Sequence, residues 1–236
     1  YTTLFRSAFL PEGRWTDIFT GYVYEGNRML DLVRDESSIP VLAKAGAIIP
    51  LSNEKGNGVD LPENLELWAY CGNGTFEMFE DDDTWENISE HATTKFEIEE
   101  KKDILFRVHP VSGNIGILPE TRTYRICIKD LMSGSAFIAL NGEPVKTQEL
   151  EQDPVMEMIL KPTDELVITI KDGTRKTNPE FSEWAIETLS KIQGSNLLSM
   201  VRSVWFKKAK TREDYVRIIK RLRFDRIAIK AVMELY

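Results

Sequence analysis

Cysteine and histidine are scarce in this sequence, with two of each among 236 residues. Two isolated thiols, Cys71 and Cys127, cannot build the multi-bridge framework that staples small secreted domains, and they suit a reduced, cytoplasmic setting. A single bridge between them stays open. His91 and His109 have no cysteine at ligand spacing, so a four-ligand structural zinc site lacks donors. Long apolar runs are missing too. The longest, SIPVLAKAGAIIPL at 38–51, includes a lysine and two prolines and falls short of the roughly 20 apolar residues that span a bilayer. Near Tyr1 there is no basic stretch, apolar core and small-residue cleavage site of a secretory signal. The sequence opens without methionine and runs directly into strand-like residues, so a C-terminal piece of a longer protein is expected. A phosphate-binding glycine loop, a dinucleotide fingerprint and a Ser-His-Asp constellation are also lacking.

What is abundant is core-forming material: 42% hydrophobic and 10% aromatic residues, enough for sizeable cores in one to three domains. Charge is unevenly divided. Residues 1–190 hold 34 acids and 18 bases, whereas residues 191–236 hold 4 acids and 12 bases. The hydrophobic period changes in the same region. Up to about Thr174, short alternating segments are separated by glycine and asparagine turns such as Gly26-Asn27, Gly72-Asn73-Gly74 and Asn141-Gly142, the pattern of β-sandwiches. Phe96 and Ile98 share one face of a strand, as do Tyr124, Ile126 and Ile128, and Leu166, Ile168 and Ile170.

Beyond Asn178-Pro179 the spacing becomes helical. Asparagine before proline predicts a capped start, followed by Phe181, Trp184, Ala185, Leu189 and Ile192. Thr211-Arg-Glu-Asp214 reads as a capping box ahead of Tyr215, Ile218, Ile219 and Leu222. The expected fold is therefore mainly β: two antiparallel β-sandwich-type domains, then a short helical tail of three to four helices. Their expected spans are 1–65, incomplete at its N-terminal side, then 66–174, and a basic helical segment over 175–236.

Three blocks carry a resemblance. Arg6-Ser-Ala-Phe-Leu-Pro-Glu-Gly-Arg-Trp-Thr-Asp-Ile-Phe-Thr-Gly21, Tyr24-Glu-Gly26 and Ile39-Pro-Val-Leu-Ala-Lys-Ala-Gly-Ala-Ile-Ile-Pro50 resemble the segment after the catalytic barrel in glycoside hydrolase family 31, which contains α-glucosidases and α-xylosidases. Leu67–Asp83 and Gly116–Tyr124 look like that family's distal C-terminal β domain. The resemblance implies a non-catalytic C-terminal fragment of a retaining α-glycosidase acting on terminal α-linked glucosyl or xylosyl residues. Its implied partners are the (β/α)8 barrel of the same protein and, through it, an oligosaccharide. The family's catalytic aspartates lie on that barrel, so no catalytic residue is carried over, and inactivity of this chain alone is expected. No cofactor is implied. The alternative is a carbohydrate-binding module that holds α-glucan without cleaving it.

The candidate site residues are few. Glu80-Asp-Asp-Asp83 is first of all a solvated turn. Asp81 and Asp83 remain weak metal candidates because consecutive carboxylates offer hard oxygen ligands, yet Trp85 and Glu86 break the helix–loop–helix calcium pattern. Trp85, beside the run, is the candidate sugar-stacking aromatic. Trp15 and Phe19 share parity with Asp17 and are expected in a core or domain interface. The basic tail is expected to dock within the molecule or join copies of the chain, with the acidic body as its neighbour; no nucleic acid and no membrane is expected as partner.

Overall fold

The structure, a computed structural model, describes residues 4–34, 39–55, 61–81, 91–193, 209, 211–221 and 226–235. Its contacts divide the chain into two compact units, residues 43–176 and residues 1–42 with 177–236. The expected boundaries after 65 and 174 differ from this division. The strand at Ile48–Ser52 pairs with the strand at Asn64–Ala69, which places both in one unit.

The described residues of 43–176 hold two sheets. The first runs β15 (Val155–Leu160), β12 (Arg122–Ile128), β7 (Asn64–Ala69), β6 (Ile48–Ser52). The second runs β11 (Ser112–Gly113), β9 (His91–Glu100), β10 (Ile104–Val108), β16 (Leu166–Arg175), β13 (Leu131–Leu140), β14 (Glu143–Leu150), with β8 (Gly74–Asp81) on β9. The alternating rows explain why the sheets stack: Phe96, Ile98, Ile168 and Ile170 of one sheet and Leu67, Ile126 and Ile128 of the other join one buried cluster. The Phe96 and Tyr124 rings meet across it at 6.3 Å. Burial of such large side chains stabilises by about 1.5–3 kcal/mol each. One pairing departs from the antiparallel expectation. β7 and β12 are parallel, with Leu65 opposite Tyr124 and Leu67 opposite Ile126, a register that alternation alone cannot distinguish from the antiparallel one.

Residues 1–42 with 177–236 combine strands and helices. β1 (Leu4–Leu10) pairs antiparallel with β4 (Arg28–Arg34), and β2 (Arg14–Asp17) with β3 (Val23–Glu25); β5 (Leu42–Lys44) falls at the unit boundary. Among the described residues three helices follow: α1 (Phe181–Gln193), α2 (Arg212–Arg221) and α3 (Arg226–Val232). Leu10, Tyr24, Leu30 and Leu32 bury themselves with Trp184 and Leu235. Phe181, Ala185, Leu189 and Val232 form a second cluster, against which Tyr215 and Ile218 pack.

The Thr211 capping box is present in both directions: the Asp214 N–H donates to Thr211 Oγ1 and the Thr211 N–H to Asp214 Oδ2, each at 3.2 Å. Asn178 behaves differently from a cap. Its amide pairs with the backbone of Val23, accepting at 2.8 Å and donating at 2.6 Å, while the α1 start is bonded through the Glu180 carbonyl. Phe19 also departs from expectation. β2 ends at Asp17, whose Oδ1 accepts from the N–H groups of Phe19 and Thr20, so the strand parity is lost and Phe19 is exposed.

The run at 38–51 resolves into β5, a turn and β6, with Ala43 and Ile48 buried and its other aliphatic residues half-buried or exposed. Gly46 sits in that turn at φ +88°, where a Cβ would lie 2.3 Å from the Asn73 carbonyl oxygen. Gly142 has a similar φ of +83° but open space around it. Gly142→Ala should therefore cost about 1–2 kcal/mol from conformation alone, and Gly46→Ala about 3 kcal/mol or more once the collision is added. Urea denaturation of the two variants checks the difference; equal losses would contradict it.

Candidate functional site

The acidic run begins on β8, where Glu80 is buried and Asp81 exposed. Alternation points neighbouring strand residues to opposite faces, so these two carboxylates do not form an acid-base pair. Glu80 departs from the solvated turn expected for this run. It accepts two hydrogen bonds from the Arg122 guanidinium, at 3.0 and 2.9 Å, and Arg122 Nε donates to the Pro62 carbonyl at 2.7 Å. Asp83 and Trp85, candidates for metal and sugar contact, lie outside the described residues. Among the described residues, no three or more His, Cys, Asp or Glu side chains are grouped to hold a metal ion.

Beside Glu80 opens a cleft of about 460 Å³ lined by Pro50, Leu51, Pro62, Phe76 and Phe79. Phe79 stacks on His91 at 4.8 Å. The walls are chiefly apolar, and the buried acid of the cleft is already bound by Arg122.

A second buried acid, Asp130, accepts from Arg175 Nη1 at 2.5 Å and from the Cys71 backbone N–H at 2.9 Å. Arg175 also forks onto Glu100, using Nε and Nη2. Burial, and Asp130 after it, push the Cys71 thiol up. Cys127 faces the other side of its sheet, where Sγ lies 3.6 Å from Glu66 Oε1. Its thiol is pushed up to about 11, first by burial and then by Glu66. Both cysteines are free and buried. They occupy different environments, the core beside Asp130 and the outer sheet face beside Glu66, which answers the pairing question the sequence left open.

The third cluster centres on Arg34. Nη2 donates to Asp17 Oδ2 and Nη1 to Glu234 Oε1, both at 2.6 Å. Glu234 Oε1 also accepts from Tyr24 OH at 2.8 Å, and Oε2 from the Val33 N–H at 2.9 Å. Burial alone disfavours the Arg34 cation, but the adjacent Glu234 and Asp17 outweigh it and raise its pKa. The Tyr24 phenol is likewise raised, by burial first and Glu234 second, which keeps it a donor. On the sheet surface, Glu97 takes bonds from His109 and Arg107; these overcome the opposing effect of burial and lower its pKa.

The thiols give a direct check on these environments. Thiolate is the reactive form, so a thiol at about 11 carries at least about 100-fold less of it at pH 8 than a free cysteine with a pKa near 8.5. Ellman's reagent at pH 8 should leave the native protein unmodified over minutes and label both cysteines after denaturation. Because the folded pKa is raised, Cys127 contributes stability that is complete below roughly pH 8.5 and is lost as pH climbs through about 11. Fast native labelling of Cys127 would contradict this.

Residues 3–49 match the family model described as Glycosyl hydrolase family 31 C-terminal domain. Among curated proteins, an alpha-xylosidase of Saccharolobus solfataricus is 34% identical over 80 residues, covering 33% of this chain. Alpha-glucosidase 2 of Bacillus thermoamyloliquefaciens is 31% identical over 84 residues, covering 34% of this chain. The matched parts span only 11% of each relative. A Flavobacterium johnsoniae GH31 dextranase structure superimposes with a TM-score of 0.52 at 19% identity, over 71% of this chain and 24% of that one. The cycloalternan-forming enzyme of Listeria monocytogenes gives 0.51 at 18%, over 73% and 17%. At such identity these two likenesses show the fold.

Proposed function

We propose, from the match of residues 3–49 to the glycosyl hydrolase family 31 C-terminal domain, that the chain is the non-catalytic C-terminal part of a retaining α-glycosidase. The whole enzyme would remove terminal α-linked glucosyl or xylosyl residues on a (β/α)8 barrel carried elsewhere in the protein. The present chain braces that barrel. One observation carries the reading: the four buried acids among the described residues, Asp17, Glu80, Asp130 and Glu234, are each bound by an arginine.

Retaining hydrolysis needs two carboxyl groups about 5–5.5 Å apart, one held protonated as general acid. Here each carboxylate already accepts from a guanidinium, and that of Glu80 from two nitrogens of one, so the lone pairs that proton transfer would use are occupied. These acids are therefore suited to holding strands together and unsuited to proton transfer. The substrate class follows the curated relatives, an alpha-xylosidase and an alpha-glucosidase. Two free, buried thiols support a cytoplasmic location.

The test compares the chain with the full-length protein on p-nitrophenyl α-glucoside and α-xyloside. The full-length protein should release nitrophenol from one or both, and residues 1–236 alone from neither. Turnover by the isolated chain would overturn the reading. Saturable binding of maltooligosaccharides by that chain would instead favour a carbohydrate-binding module.

A further inference from the structure

The tail of this chain carries 12 bases and only 4 acids after residue 190, yet the charged tail side chain that is buried among the described residues is an acid. Glu234 has 1% of its side chain exposed, and Arg34 has 9%. Three donors converge on the Glu234 carboxylate: Arg34 Nη1 at 2.6 Å and Tyr24 OH at 2.8 Å on Oε1, and the Val33 N–H at 2.9 Å on Oε2. All three donors belong to residues 24–34, about 200 positions earlier in the chain.

Charge shows why the carboxylate matters. Asp17 already neutralises Arg34 through Nη2 and satisfies its own second oxygen with the N–H groups of Phe19 and Thr20. Without Glu234, the site would be a neutral ion pair with Nη1, a phenol and a backbone N–H all lacking these bonds in a buried place. Unmet donors there are costly, and more so on a charged group. A single water accepts from two such donors at most, whereas the carboxylate accepts from all three and adds charge attraction to Arg34.

Around this contact the return segment is anchored at several other points. Arg28 Nη2 donates to the Glu234 carbonyl at 3.3 Å, and Lys230 lies 2.9 Å from Asp31. Trp184 Nε1 donates to the Val232 carbonyl at 3.0 Å, its ring meets Tyr22 at 4.8 Å, and Leu235 joins the cluster of Leu30 and Leu32.

We propose that residues 229–235 form a clasp, and that Arg34, Tyr24 and the Val33 N–H form a carboxylate cradle whose occupant is Glu234 of the same chain. Strands β1–β4 then hold their native packing only with the clasp engaged, while residues 43–176 keep theirs without it. Loss of the clasp would open the first strands of the chain and leave the sandwich intact.

The cradle is tested in the full chain with Glu234→Ala, read by amide hydrogen exchange and size-exclusion chromatography. The expected result is exchange at least 10-fold faster at Val33 and its β4 neighbours, with β12 and β16 unchanged. Sodium acetate should slow that exchange again, whereas sodium chloride at the same ionic strength should not. Glu234→Gln, which keeps an acceptor for the Val33 N–H, should give a smaller acceleration and carries the test if the alanine variant collapses in residues 1–42. Unchanged exchange at β4, equal acceleration in β4 and β12, or equal rescue by chloride would each overturn the proposal. So would a dimer of the unmutated chain that becomes monomeric on Glu234→Ala, because the occupant would then be a second copy.

Discussion

The Arg34 guanidinium, buried between Asp17 and Glu234, is the contact on which the first strands and the last helices of this chain both depend. A buried cation is tolerated only when its donors are met, and removing one partner of such a pair typically costs about 3–5 kcal/mol. Arg34 has two acidic partners, one 17 and one 200 residues away in sequence. Satisfying it therefore requires that the chain return to where it began. The apolar surfaces of Trp184 and Leu235 then fill the space beside Tyr24, Leu30 and Leu32.

The same constraint recurs in residues 43–176. Arg122 forks onto Glu80, joining β12 to β8, and Arg175 binds Asp130 and Glu100 at the end of β16. Each arginine joins residues far apart in sequence. Chemistry and architecture are thus coupled: carboxylates that might have served as acids or bases are instead bound by arginine. The chain covers 24% of the dextranase it superimposes on.

Sequence made the regular parts legible. The alternating rows at Phe96, Tyr124 and Leu166 are buried as read, and Thr211 with Asp214 forms the capping box its spacing implies. Local rules failed where the partner is distant. The parallel register of β7 and β12 uses the same alternation as an antiparallel one. Asn178 is drawn from its cap by a backbone 155 residues away. The buried pair at Glu80 left a fainter trace. Glu80 shares parity with Met78, which packs against the core, and Arg122 with Tyr124 and Ile126, so an acid and a base stood on apolar faces. Nothing local announces Glu234 in a tail dominated by bases. Docking within the molecule or contact between copies of the chain is the expectation for that tail; its bases do meet the acidic body at pairs such as Lys230 with Asp31. The central contact has the opposite polarity.

The most direct measurement is a double-mutant cycle on Arg34 and Glu234, using Arg34→Met, Glu234→Leu and the combined variant, with unfolding of residues 1–42 followed by denaturant. If the two side chains meet as described, the losses are strongly non-additive, with a coupling of about 2–3 kcal/mol. The double variant then loses less than the sum of its parts, since no charge is stranded. Additivity within about 0.5 kcal/mol would mean that the guanidinium and the carboxylate do not touch, and that the last residues are not what holds the first strands in place.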